Sequence, residues 1–198
     1  MNPLLHKIYS QRNNEKKRAL LKQRPVVIWF TGLPASGKST LATQLETTLL
    51  EKGYLSQWLD GDDLRNGLTR DLGFTEAEQE ENIRRCAEVA KLFRESGLIT
   101  ICSFISPTQH IRNVAREIIG AADFLEIYVN CPLEVCIQRD DKHMYTKALR
   151  GSVTNLVGVN FPYEAPRQPW LELYTHHYSI PDCLNRIWEI LEPRIQVQ

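Results

Sequence analysis

The chain has 198 residues, with 24 Lys plus Arg against 24 Asp plus Glu, and 42% of it is hydrophobic. That length suits one domain around a single core, and a net charge of zero excludes the broad positive field of a general nucleic-acid or membrane-surface binder. The cysteines Cys86, Cys102, Cys131, Cys136 and Cys183 form no CxxC pair, which speaks against a disulfide framework or zinc site and for a reducing cytoplasmic setting.

Residues 1–24 read as a basic polar leader, with Arg12, Lys16, Lys17, Arg18, Lys22 and Arg24 against the single acid Glu15. They lack the continuous apolar run of a secretory signal. A solvated or loosely docked segment is expected there, in preference to a nucleic-acid arm. Residues 25–198 form the main domain. Strands are expected at Val26–Thr31, Leu55–Leu59, Leu98–Phe104 and Phe124–Asn130, with Leu171–Tyr174 as the candidate fifth. Helix-period segments fall at Ser39–Lys52, Glu76–Glu95, Thr108–Ile119, Leu133–Asp140 and Ile180–Leu191. Strands alternating with helices imply crossover units, hence an α/β fold with a mainly parallel sheet covered on both faces. Cys102 lies in an apolar run and reads as core.

Residues 141–169 break the alternation, with Gly151, Gly158, Pro162, Pro166 and Pro169 following the basic Lys142, Lys147 and Arg150. A long stretch without regular structure inside a compact domain is commonly functional. Beside a nucleotide site it would serve as a lid.

The stretch FTGLPASGKST, residues 30–40, contains Gly32, Gly37, Lys38 and Ser39 in the spacing G-x-x-x-x-G-K-[ST], after an apolar strand and before a helix. Glycines let the backbone of Gly32, Leu33, Pro34, Ala35, Ser36, Gly37, Lys38, Ser39 and Thr40 curl so that successive N–H groups, Pro34 having none, point inward at phosphate oxygens. The helix beginning near Lys38 adds its positive dipole end. Lys38 supplies a cation for the outer phosphates, and the Ser39 hydroxyl suits Mg2+, a hard ion that keeps water and phosphate ligands. A nucleoside triphosphate, ATP with Mg2+, is the expected ligand.

The second strand ends in LDGDDLR, residues 59–65. Ligands of open parallel sheets sit at such strand ends, so Asp60 and Asp62 are placed to meet the metal or an incoming hydroxyl, and Arg65 an anionic acceptor. Capping of the following helix is the structural alternative for Asp62. No N-K-x-D base-reading loop occurs, so a small-molecule kinase is expected rather than a regulatory GTPase.

GLPASGKST, LDGDDLRNGLTRDLGF, ENIRRCAEVAKLF, FISP, PLEVCIQRD and PYEAP follow in the order found in adenylylsulfate (APS) kinases. The resemblance runs from about Val26 to Pro166. It implies the three-layer, adenylate-kinase-like phosphate-loop NTPase fold with a five-stranded parallel sheet and a lid. It also implies transfer of the ATP γ-phosphate to the ribose 3′-hydroxyl of adenosine 5′-phosphosulfate, giving PAPS, with Mg2+. By the same resemblance Asp60 and Asp62 flank the transfer site, with Asp60 favoured as the base and also set beside the metal with Ser39. Arg65 and Asn82 contact the acceptor nucleotide and Phe74 stacks on its base. Ile105 and Ser106 line the pocket, Arg139 lies over the ATP adenine, and Lys142 and Lys147 approach phosphates when the lid shuts. Ser106 matches a serine phosphorylated in some relatives, but in-line transfer needs no phosphoenzyme, and capping of the helix after Pro107 is the plainer expectation. A homodimer rests on analogy with dimeric relatives alone.

The departures from the family pattern fall on the acceptor side. Gln79 and Gln109 stand where arginines are usual, Leu156 stands where the lid has Phe, and Asn160 and Phe161 replace two acids. Losing two charge-assisted contacts of roughly 1.5–3 kcal/mol each would weaken anion binding by about 10²- to 10⁴-fold unless other cations compensate. APS is therefore weighed against a different 5′-substituted nucleotide with a less anionic distal group, and against a non-catalytic ATP-binding module.

Overall fold

The computed structural model describes residues 13–197. Strands β1 (Val27–Thr31), β2 (Ser56–Asp60), β3 (Ile99–Ser103), β4 (Phe124–Asn130) and β5 (Leu171–Tyr174) form one five-stranded sheet in the order β2-β3-β1-β4-β5. Every pairing is parallel, with Val27 opposite Thr100 on one side and Phe124 on the other. Helices α1 (residues 13–21), α2 (Lys38–Glu51), α3 (Gly61–Asn66), α4 (Glu76–Glu95), α5 (Gln109–Ile119), α6 (Leu133–Gln138), α7 (Met144–Leu149) and α8 (Ile180–Ile195) complete it.

Side chains alternate across β1 and so define two cores. Ile28 and Phe30 pack with Leu41 and Leu45 of α2 and with Ile187 and Leu191 of α8. Val27 and Trp29 pack with Ile83 and Ala87 of α4 and with Ile111 and Ala115 of α5. A strand covered on both faces buries every residue, which is why β1 reads as one apolar run. Cys102 is in the second core, and all five cysteines are free thiols and buried. No helix among the described residues is long and apolar enough to cross a membrane.

The structure departs from the sequence reading in three places. Residues 13–21 are helical and tied down, with Lys17 Nζ donating to Glu95 O at 2.6 Å. Gln23 is fully buried, its amide donating to Leu55 O and Gly97 O, both at 2.8 Å. The leader is thus less loose than its charge implies, while residues 1–12, including Arg12, lie outside the described part. Helix α8 runs past Leu191 and through Pro193 to Ile195. Ile195 is fully buried and its carbonyl accepts from Arg24 N at 2.7 Å, so packing outweighs the helix-breaking tendency of proline. Residues 141–169, expected without regular structure, contain α7 and an apolar cluster of Tyr145, Ala148 and Leu156 with Cys131 and Cys136. His143, the cap of α7, is left-handed and makes no side-chain cap bond; Asp140 Oδ2 accepts from Tyr145 N at 2.6 Å instead, so the start signal lies outside the usual cap position.

Candidate active site

The phosphate loop hangs from the end of β1. Gly32 is indispensable for a steric reason, since a Cβ there would lie 2.6 Å from Val129 O and 2.9 Å from Ser36 Oγ. Ala35 (φ 56°) and Gly37 (φ 103°) take left-handed backbone conformations that curl the chain into α2. Lys38 folds back and donates to Gly32 O at 3.0 Å and Leu33 O at 2.6 Å. Burial lowers its pKa to about 8, against the opposing pull of nearby acids including Asp60 and Asp62. The buried Ser36 Oγ has no partner. Pro34 O accepts from Tyr145 OH at 2.9 Å, and Leu33 packs in the apolar cluster of residues 141–169. That segment therefore rests directly on the loop.

Beside Lys38 lies an oxygen cluster. Asp60 Oδ2 accepts from Ser39 Oγ and from Ser103 Oγ, both at 2.8 Å. Asp60 Oδ1 accepts from Asp62 N at 2.9 Å, so Asp60, and not Asp62, caps α3. Asp62 sits in the first turn of α3, exposed, and pairs with Lys142. Its carboxylate hydrogen bond raises the Lys142 pKa. Ser39 and Asp60 are hard oxygen donors of the kind Mg2+ takes alongside phosphate oxygens. Among the described residues no group of three His, Cys, Asp or Glu side chains forms a preformed metal cage.

On the far side of α2 a pocket of about 230 Å³ is lined by Gly37, Thr40, Arg139, Thr175 and Tyr178 among others. Arg139 donates to Thr175 O at 2.9 Å and to its Oγ1 at 3.3 Å, while Thr175 Oγ1 donates to Ser36 O at 2.8 Å. This chain of contacts sets the guanidinium at the pocket mouth.

A second group forms where α3 meets α4. Arg65 donates to Gly73 O at 3.1 Å and lies 4.3 Å from the centre of the Phe74 ring, which is 51% exposed. Burial lowers the Arg65 pKa, though a guanidinium stays charged at neutral pH. Gln79 donates to Phe74 O at 2.8 Å. Asn82 is 8% exposed and its Oδ1 has no partner. Arg65, Phe74, Gln79 and Asn82 are thus brought together, and the Gln79 amide supports the Phe74 turn.

The structure places two expected residues, Ser106 and Leu156, differently from the sequence reading. Ser106 does not cap α5, whose cap is Thr108. Instead Ser106 is left-handed (φ 39°) and buried, its Oγ donating to Thr31 Oγ1 at 3.0 Å and accepting from Trp29 Nε1 at 3.2 Å. Leu156 is buried in the cluster with Tyr145 and Cys136 and faces no open space. Lys147 is exposed on α7. Ile105 is half-buried, its carbonyl accepting from Thr31 Oγ1 at 2.7 Å. Sequence reasoning missed Ser103, Thr31, Thr175, Tyr163 and Arg112. A strand-end position is the one signal that marks Ser103.

An open parallel sheet, a phosphate loop at β1 and two carboxylates at the end of β2 define a phosphate-loop kinase of the small-molecule class. The family model for adenylylsulphate kinase matches residues 24–174. The adenylyl-sulfate kinase of Bacteroides fragilis is 48% identical over 193 residues, 98% of this chain and 94% of that one. That of Clostridium acetobutylicum is 49% identical over 182 residues, 92% and 90% of the two chains. The structure of the Mycobacterium tuberculosis APS kinase in complex with AMPPNP and APS matches with a TM-score of 0.82 and 41% identity, covering 85% of this chain and 98% of that one. This chain belongs to the adenylylsulfate kinase family.

Proposed function

We propose that this chain transfers the γ-phosphate of ATP to the ribose 3′-hydroxyl of adenosine 5′-phosphosulfate, giving PAPS and ADP. The observation that carries the reading is the adjacency of two half-sites along α3, with the Lys38–Ser39–Asp60 cluster at its N-terminal end and the Arg65–Phe74–Asn82 group at its last turn. ATP would lay its phosphates along the loop amides and Lys38, and its base in the pocket beside Arg139. The acceptor base would stack on Phe74, and the orphan Asn82 oxygen gives a buried acceptor for its N–H groups.

Asp60 has both oxygens occupied by Ser39, Ser103 and the Asp62 amide. It therefore suits the metal side, with Ser39, and Asp62 suits the hydroxyl, reversing the preference drawn from sequence. Mg2+, when bound, supplies neutralisation of charge on the β- and γ-phosphate oxygens. In the transfer, the 3′-oxygen forms its bond to the γ-phosphorus while the bond to the β,γ-bridging oxygen breaks. The hydroxyl proton passes to the Asp62 carboxylate, and ADP leaves with the bridging oxygen. Residues 141–161 act as a lid, with Lys142 exchanging Asp62 for a phosphate and Lys147 following on α7. The homodimer remains part of the proposal and is read by light scattering.

Gln79 and Gln109 bear on the acceptor. Gln79 holds the Phe74 turn and Gln109 Nε2 donates to Asn113 Oδ1 at 3.1 Å, leaving Arg65 and Lys142 as the cations for the acceptor's anionic end. The deciding assay supplies Mg-ATP with APS or with other 5′-substituted adenosine nucleotides and follows both ADP and 3′-phosphorylated product. PAPS formation with APS preferred is expected. Preference for a less anionic nucleotide, or no acceptor-dependent ADP at all, would remove the assignment.

A further inference from the structure

Arg112, on α5, is 1% exposed, the most deeply buried charge among the described residues that the transfer chemistry does not use. Burying a guanidinium is costly unless every side is compensated. Its compensation shows what it holds. Arg112 Nη1 donates to Ser106 O at 2.8 Å, and Nη2 donates to Glu164 O at 2.7 Å. Nε lies 3.1 Å from Glu126 Oε1, an ion-pair distance without hydrogen-bond alignment, and Glu126 Oε2 also accepts from Arg116 at 3.2 Å. One rigid fork therefore spans two loops, as a point-charge ammonium cannot.

Those loops are zipped together at further points. Glu164 N donates to Pro107 O at 2.8 Å, and Glu164 Oε2 accepts from Gln109 N at 2.7 Å. The Tyr163 hydroxyl lies 2.9 Å from Thr31 Oγ1, which also meets Ser106 and Ile105. The segment 163–164 is where the chain returns from residues 141–161 to the body. The turn 104–108 borders the start of α3, since a Cβ at Gly61 would lie 3.2 Å from the Phe104 ring. Asp62 is the next residue. The return of the lid, the turn after β3 and the carboxylate proposed to take the proton thus share one support.

We propose that Arg112 is a positioning residue that locks the turn 104–108 to the return segment 163–164, fixing the acceptor side of the site against the lid's closing motion. The inference rests on the phosphotransfer reading above. Arg112 makes no hydrogen bond to the phosphate loop or to Arg139, so the larger effect of loosening it is expected on the acceptor side.

The test compares Arg112→Lys, Arg112→Met paired with Glu126→Leu, and Glu164→Ala, which removes only an exposed carboxylate from the same clamp. Wild-type turnover with APS is measured first, and its absence would sink the phosphotransfer reading whatever the clamp does. With turnover present, Arg112→Lys is expected to raise the acceptor KM by about tenfold or more while the ATP KM stays within about twofold. Lysine retains the charge against Glu126 and so preserves the fold, yet it cannot bridge both carbonyls. Glu164→Ala should shift the acceptor KM in the same direction by a smaller factor. Hydrogen exchange, which needs no substrate, should quicken together at residues 104–109 and 163–166 in each variant. Equal changes in both KM values, an unchanged acceptor KM in folded Arg112→Lys, or exchange confined to one of the two segments would overturn the proposal. The paired variant replaces the ion pair by apolar contacts and keeps the question open to refutation if the lysine variant does not fold.

Discussion

The two halves of the site are made of different material. The ATP half is mostly main chain, a curled loop whose geometry depends on Gly32 having no Cβ and on left-handed Ala35 and Gly37. Its loop cation, Lys38, is parked on the loop's own carbonyls. The acceptor half is mostly side chain, with an exposed Phe74 ring backed by Arg65 and a buried Asn82 oxygen without a partner. Backbone sites tolerate little change in sequence, because few residues adopt the conformation. Side-chain sites can be retuned one residue at a time, and the departure at Gln79, which holds the Phe74 turn, falls on that half, whereas Leu156 is buried in the cluster that rests on the phosphate loop.

Substitutions that separate the halves should differ in kind. Lys38→Met is expected to lower kcat by about 10²- to 10³-fold or more, with thermal stability kept or raised because a buried charge is lost; steady-state kinetics and a melting curve check it. Asp62→Asn should lower kcat by about 10²- to 10⁴-fold with little change in the KM for ATP. If Asp60→Asn alone abolished turnover while Asp62→Asn did not, the assignment of the base would return to Asp60. Phe74→Ala should raise the acceptor KM by roughly 5- to 150-fold, the equivalent of about 1–3 kcal/mol of stacking, and leave ATP binding unchanged. An equal loss for ATP would mean that the halves are not separable.

The smallest effect is a proton linkage confined to the ATP half. Burial holds Lys38 near a pKa of about 8, and arriving phosphates favour its charged form. Binding Mg-ATP therefore takes up a proton once the pH reaches that value, and the affinity falls as pH rises above it, by at most about tenfold per unit. Calorimetry in buffers of different ionisation enthalpy reads the uptake directly. The acceptor affinity should show no such slope there.

Legibility in the sequence follows the same division. The strands and the phosphate loop are written in local patterns, short apolar runs and a glycine spacing that few other structures require. β4 and β5 match their expected bounds, Phe124–Asn130 and Leu171–Tyr174. Helix α7 was not legible, because its cap position is a left-handed His143 while the carboxylate that bonds Tyr145 N comes from Asp140, outside the usual cap position, and the burial of Tyr145 and Ala148 is tertiary. The role of Ser106 was misread for a related reason. Its hydroxyl is claimed by Thr31, 75 residues away, and no local pattern announces so distant a partner. Arg112 gave no sign for the same cause, since an arginine on an amphipathic helix ordinarily points to water.

Gln23 pairs with Gln196, and Arg24 N bonds Ile195 O, at the end of the sheet from which β1 sets out. Residues 23–24 and 195–196 therefore meet at the rear, while nucleotides would enter at the front where the strands finish. Cargo joined beyond Gln196, whether an affinity handle, a fluorophore or another enzyme, would leave from that rear end and keep the entrance clear.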